Sequence, residues 1–145
     1  MVEGALAAAG LPHRLAAVPF VESGYDNVRL PSPSSPQGLW GFIAPTARAY
    51  GLTVDVGRDD RMDPDRATHA AVAYLGDLHR RLGDWALALA GYNEGGGTVE
   101  SVVAERRSRD AWSLIAQGAL DDYAARVVAV ALVLEEPGLV AEAEE

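Results

Sequence analysis

The chain has no cysteine among its 145 residues. That excludes a disulfide framework and any thiolate metal site, and it selects no compartment. Long apolar runs are missing too. The longest, Val127 to Leu134, falls far short of the roughly 20 residues a membrane-spanning helix needs. Met1 to Gly10 has no basic region and is too short for a secretory signal. Work outside the cytoplasm would therefore need a signal already removed or carried by a longer parent chain. Basic residues are scarce, with 12 Lys plus Arg against 21 Asp plus Glu and a formal net charge of -9. This balance argues against general nucleic-acid binding and against docking on anionic lipid. Part of the acidity is terminal, in Glu142-Ala143-Glu144-Glu145, and residues 138–145 read as a frayed tail.

Period-two alternation is also rare, and alanine is abundant. The pattern is helical. Leu11 to Ser23 reads as a first helix that Pro19 kinks or restarts. Residues 24 to 44 are rich in turn formers, and Pro31-Ser32-Pro33-Ser34-Ser35-Pro36-Gln37-Gly38 excludes regular structure. A short helix over Pro45 to Tyr50 stops at Gly51. The strongest helix runs from Pro64 to Leu82, with Asp63 as N-cap, Pro64 at the first helical position and Gly83 as the stop. Its apolar stripe is Ala67, Ala71, Tyr74, Leu75, Leu78 and Leu82. Asp84 caps a helix to about Tyr92, and Asn93 to Gly97 reads as a glycine-rich turn. Thr98 caps a helix to about Arg107 and Asp110 one to Gln117. The last helix starts near Asp121, carries Tyr123, Val127, Val130 and Leu134 on one face, and ends at Pro137-Gly138. Without repeats or a long linker, residues 1–145 read as a single compact all-α domain of about seven helices.

Glu22, in Val18-Pro19-Phe20-Val21-Glu22-Ser23-Gly24-Tyr25, is the candidate general acid. Apolar neighbours disfavour a carboxylate, and the negative end of a helix dipole does the same. From this segment alone a solvated surface glutamate is the commoner outcome. Asp26, Asp55, Asp59 and Asp60 are further acids, Asp26 reading as a turn residue beside Asn27. His13, His69 and His79 do not form a metal set, and Gly95-Gly96-Gly97 has no following Lys-Ser or Lys-Thr for a phosphate loop. Arg106-Arg107-Ser108-Arg109 reads as a solvated helix end with some affinity for anionic polymers. No metal or organic cofactor is implied.

Motifs spread along the chain bear on Glu22. They are Leu11-Pro12, Val18-Pro19, Glu22-Ser23-Gly24-Tyr25, Ser32-Pro33, Gly38-Leu39-Trp40, Phe42-Ile43 and Thr46-Ala47-Arg48. Tyr50-Gly51-Leu52, Asp60-Arg61, Asp63-Pro64, Ala70-Ala71, Tyr74-Leu75, Gly83-Asp84-Trp85, Leu87 to Ala90, Tyr92-Asn93, Tyr123 and Val127 continue the set. In order and spacing they resemble the catalytic domain of soluble-type lytic transglycosylases, nearest to the membrane-bound transglycosylase D type.

The resemblance implies a lysozyme-like helical fold with a glycan-binding cleft and an irregular loop after the first helix. It implies cleavage of the β-1,4 bond between N-acetylmuramic acid and N-acetylglucosamine in peptidoglycan, leaving a 1,6-anhydromuramoyl end. Glu22 would be the single acid and then base, with Ser23 holding it and the Tyr92 hydroxyl orienting it. Gly38, Leu39, Trp40, Gly41, Phe42 and Ile43 would line the sugar subsites, with Asn93 and Tyr123. Core packing is the rival reading for Trp40, Phe42 and Tyr123, and a local helix-end hydrogen bond for Ser23. The partner would be peptidoglycan, with further cell-wall-binding domains in a parent protein, and the location the bacterial cell envelope.

The chain departs from the pattern at three places. Gly41 stands where the family usually has Gln, and Ala44-Pro45 where Pro directly follows the Phe-Ile pair. Ala119-Leu120 replaces a Glu-Thr pair before Tyr123. Ser35-Pro36 also replaces the loop's usual Gly-Ala. Two polar cleft partners are lost, which leaves a weakened or non-catalytic peptidoglycan-binding module and a lysozyme-like muramidase as alternatives.

Overall fold

A computed structural model describes residues 1–136; the expected tail at 138–145 lies outside the described residues. The chain clusters into two compact units, Met1–Ala73 and a second that starts at Tyr74. Among the described residues there are α-helices and short 3-10 turns but no named strand.

The first unit opens with α1 (Val2–Ala8), which buries Val2 and Leu6. No helix was expected there. Instead of one helix over Leu11 to Ser23, a 3-10 turn (His13–Ala17) leads into α2 (Val18–Ser23). Pro19 therefore restarts the helix, sitting in its first turn where a missing N–H costs nothing. Next come a long irregular segment, α3 (Ala44–Ala49) and a 3-10 turn over Asp60–Met62. α4 (Pro64–Leu82) has the bounds the sequence predicts, with Asp63 Oδ1 accepting from Arg66 N at 3.0 Å.

The irregular segment is ordered by two buried polar side chains. Gln37 donates its amide to the Leu30 and Ser32 carbonyls at 2.9 Å each and accepts from Leu30 N at 2.7 Å. Arg61 is 1% exposed and donates to the carbonyls of Pro33, Ser35 and Phe42 at 3.2–3.3 Å. Its guanidinium also grips both oxygens of Asp59, at 2.9 and 2.8 Å. Beside it, Val54 and Asp59 pair in an antiparallel bridge. Asp55 closes the turn between them by accepting from the amides of Gly57 and Arg58, at 3.0 and 2.8 Å. Val56 stands at the tip with its side chain wholly in solvent, at 109% relative exposure.

The Arg61 hydrogen bond holds the Asp59 carboxyl below its ordinary range, and the Arg58 hydrogen bond does the same for Asp60. A depressed folded pKa contributes stability above the unfolded value of about 3.9, lost as pH falls through the folded value. The melting temperature should thus drop steeply as pH falls below about 4. Asp59→Asn should be less stable at neutral pH and show a shallower acid decline in thermal melts.

The second unit packs α5 (Trp85–Glu94) against α6 (Gly96–Arg106), α7 (Ala111–Ala116) and α8 (Tyr123–Glu135). Its core includes Leu78, Leu82, Leu87, Val99, Leu114 and Leu120. Asp84 and Asp110 cap α5 and α7 as expected, accepting from Leu87 N and Ser113 N. The glycine-rich turn is shorter than expected. Asn93 and Glu94 finish α5, and α6 begins at Gly96 rather than after Thr98. Gly96 in this turn and Gly91 within α5 serve close packing. A Cβ on Gly91 would lie 3.0 Å from both Leu78 and Leu82, and one on Gly96 2.9 Å from the Arg81 guanidinium.

Candidate active site

α2 is short because Gly24, at φ +64°, ends it in a left-handed cap, with Gly24 N and Tyr25 N donating to Phe20 O and Pro19 O. Tyr25 is left-handed as well, at φ +62°, a conformation that costs a non-glycine residue on the order of 1 kcal/mol. Its ring contacts Phe20 at 4.5 Å between centroids, and its hydroxyl donates to Ala16 O at 2.9 Å. These contacts offset the strain, and the sequence gives no sign of it.

The helix places Glu22 in its last turn. Val18 and Pro19 are fully buried, Phe20 is 40% exposed and Glu22 is half-buried. Glu22 thus follows a buried stretch without being fully buried itself. Ser23 joins this helix end to the next segment. Its hydroxyl lies 3.0 Å from Pro19 O and 2.8 Å from Leu39 O. With one proton to give, the local bond and the long-range bond share it. Ser23→Ala should cost about 1 kcal/mol, visible as a small fall in melting temperature.

That turn runs from Gly38 to Gly41 between the bridged residues Gln37 and Phe42. Its backbone is folded rather than extended, with Gly38 at φ +75° and Gly41 at φ +64°. Gly38 is obligatory, because a Cβ there would overlap the Arg61 carbonyl oxygen. Leu39, Trp40 and Phe42 are buried, Trp40 completely, and Trp40 Nε1 donates to Thr68 Oγ1 at 2.9 Å. The side chains expected to pack against sugar faces are therefore core, and at 0–4% exposure of the whole residue their backbone is covered as well, leaving Gly41 as the partly open position of the turn. Ile43, at 44% exposure, is the one large apolar side chain of this stretch that faces solvent. Gly41 lies directly against Glu22.

Of the other candidate acids, Asp55, Asp59 and Asp60 are engaged locally. Asp55 closes its own turn, Asp59 holds Arg61, and Asp60 takes Thr53 N and Arg58. Asp26 is an exposed turn residue whose N–H donates to Ser23 O at 3.1 Å. No group of three or more His, Cys, Asp or Glu among the described residues could hold a metal.

In the second unit, Tyr92 is half-buried between two other tyrosines. Its ring is 5.3 Å from that of Tyr74 and stacks at 6.4 Å on that of Tyr123. Tyr123 is 2% exposed and carries the Arg126 guanidinium 5.5 Å from its ring centre, so it packs as core. Asn93 is exposed, and its amide lies 3.4 Å from Asp121 Oδ1. At the departure before Tyr123, Leu120 is a core residue and Ala119 packs on the same cluster. The sequence singled out neither Gln37 nor Arg61 as organising residues. Gln37 bonds across an irregular loop five to seven residues back and Arg61 to carbonyls 19 to 28 residues back, which no local pattern marks.

The described residues thus form an all-α domain in which a half-buried glutamate closes a short helix. The chain belongs to the Transglycosylase SLT domain family, whose model matches residues 3–115. It is 31% identical over 139 residues to membrane-bound lytic murein transglycosylase D of Escherichia coli strain K12, covering 92% of this chain and 30% of that protein. It is 34% identical over 95 residues to membrane-bound lytic murein transglycosylase F of Shewanella loihica, covering 60% and 18%. Its fold matches that of lytic transglycosylase Slt from Pseudomonas aeruginosa, solved as an inactive glutamate-to-glutamine mutant. The TM-score is 0.71 at 23% identity, over 91% of this chain and 23% of that one. The chain thus spans less than a third of the length of these relatives.

Proposed function

We propose that this domain is a peptidoglycan lytic transglycosylase with Glu22 as its single acid and base. The observation that carries the reading is the placement of Glu22 in the last turn of α2, half-buried against the Gly38–Gly41 turn, in a chain of this family. The protonated Glu22 gives its proton to the glycosidic oxygen as the muramoyl C1–O bond breaks, releasing N-acetylglucosamine with a free 4-hydroxyl. The muramoyl C6 hydroxyl then attacks C1, and its proton goes to the Glu22 carboxylate, which restores the acid. No water enters. The internal nucleophile supplies proximity that a bound water would lack, so the second carboxyl that most glycosidases need is dispensable. The local engagement of Asp55, Asp59 and Asp60 agrees with a single-acid mechanism.

In this reading Ser23 holds the turn that borders Glu22. The partly open Gly41 and the exposed Ile43 contact sugar, as do Asn93 and the Tyr92 hydroxyl, with Tyr123 packed against Tyr92 and with Gly38, Leu39, Trp40 and Phe42 holding the turn from the core. The substrate places the protein in the bacterial cell envelope, and the remainder of a longer parent would carry anchoring or wall-binding domains. The described residues contain no helix long and apolar enough to cross a membrane.

Mass spectrometry of soluble products from purified sacculi tests the reading. Anhydromuropeptides from the wild type establish it. Reducing muropeptides indicate a muramidase instead. No release, with the protein still sedimenting with sacculi, indicates a binding module, which the missing side chain at Gly41 favours.

A further inference from the structure

We propose that Gly41 is a positioning residue for Glu22, its bare Cα providing the seat on which the acid's carboxyl group rests. The proposal builds on the assignment of Glu22 as proton donor and acceptor. A Cβ on Gly41 would lie 2.4 Å from Glu22 Oε2, 3.0 Å from its Cδ and 3.3 Å from its Cβ. Much of the glutamate arm therefore lies across the space that a side chain at 41 would fill. Gly24 is the instructive contrast. It has the same φ of +64°, but a methyl group there would meet nothing within 4 Å, so its glycine serves the backbone alone. At Gly41 the backbone and the acid both require glycine.

The turn cannot retreat to make room. Gly41 N donates to Gly38 O at 3.3 Å, Ser23 Oγ holds Leu39 O, and the indole of Trp40 is buried on Thr68. The flexible partner is Glu22, so a methyl at 41 moves the carboxyl by about 1 Å, from 2.4 Å to an ordinary contact beyond 3.4 Å. A misplacement of about 1 Å can cost roughly 100-fold in rate. The glutamine usual in the family would not restore an amide donor to this chain. Its Cβ would first displace the acid.

The experiment compares wild type, G41A and G118A in release of anhydromuropeptides across pH, with thermal melts of each. Gly118, at φ +72° with nothing within 4 Å, reports the backbone cost alone. The expected result is that folded G41A loses roughly tenfold or more in kcat, with KM changed less than about twofold and the pH profile of kcat displaced, while G118A keeps both. A folded G41A with wild-type kcat and pH profile overturns the proposal. If G41A does not fold, it is made in an E22A background, which removes the clashing Cδ and Oε2. Recovery of folding there supports the proposal, and failure to fold there overturns it. If the wild type itself releases nothing, the enzymatic reading fails separately. The losses of melting temperature caused by G41A in the Glu22 and E22A backgrounds then decide the seat, equal losses overturning it and a smaller loss in E22A supporting it.

Discussion

Glu22→Gln should abolish the proposed release of anhydromuropeptides and leave the fold intact. The amide keeps the shape of the side chain but can neither give a proton to the glycosidic oxygen nor take one from the C6 hydroxyl. A positioned acid or base is worth roughly 10^2 to 10^4 in rate, and in the proposed mechanism one residue performs both transfers. The expected loss is therefore about 10^4-fold or more, at or below detection in a digest of sacculi. Glu22 is half-buried at a helix end, so the melting temperature should stay within about 2 °C of wild type. Binding to sacculi should survive, because the turn and the exposed Ile43 are untouched. Retention of more than about a tenth of the activity would remove Glu22 from its role.

Arg61→Ala should have the largest effect on stability. Arg61 is 1% exposed, and its guanidinium serves three backbone carbonyls and both oxygens of Asp59. Alanine leaves a mostly buried carboxylate and those carbonyls without a donor. Breaking a buried pair from one side costs about 3–5 kcal/mol. For a domain of this size that corresponds to a fall in melting temperature of about 10–15 °C. Arg61→Lys should recover little of it, because a single ammonium offers three donors in place of a planar fork. Activity should fall with stability, since the carbonyls that Arg61 holds belong to the segment leading into and out of the Gly38–Gly41 turn. A loss in Arg61→Ala below about 1 kcal/mol in urea titration would mean that the segment is ordered by something else.

How much of this was legible depended on whether the determinant was local. The bounds of α4 followed from Asp63, Pro64 and Gly83, and the starts of α5 and α7 from Asp84 and Asp110, because capping acts within four residues. α1 was missed because it is only seven residues long, has no side-chain cap and contains a glycine; burial of Val2 and Leu6 holds it. Pro31 to Gly38 was correctly read as irregular, but its order comes from Gln37 and Arg61, through hydrogen bonds to residues up to 28 positions away. Leu39, Trp40 and Phe42 show the same limit. An apolar stretch beside glycines looks alike whether it faces sugar or core, and only packing separates the two. The position of Glu22 and Ser23 at the end of a helix was legible from the sequence. The left-handed Tyr25 and the contact between Gly41 and Glu22 were not, because both are properties of backbone geometry.

The turn between Val54 and Asp59 suits this protein to single-molecule and tethering work. Val56 projects entirely beyond the surface while Asp55 and the Val54–Asp59 bridge hold the turn closed beneath it. Because the chain has no cysteine, Val56→Cys introduces a unique thiol at a position whose side chain supports nothing. A fluorophore or surface linker attached there leaves every interior contact in place, and lets the protein be followed, or immobilised in one orientation, during the assays proposed above.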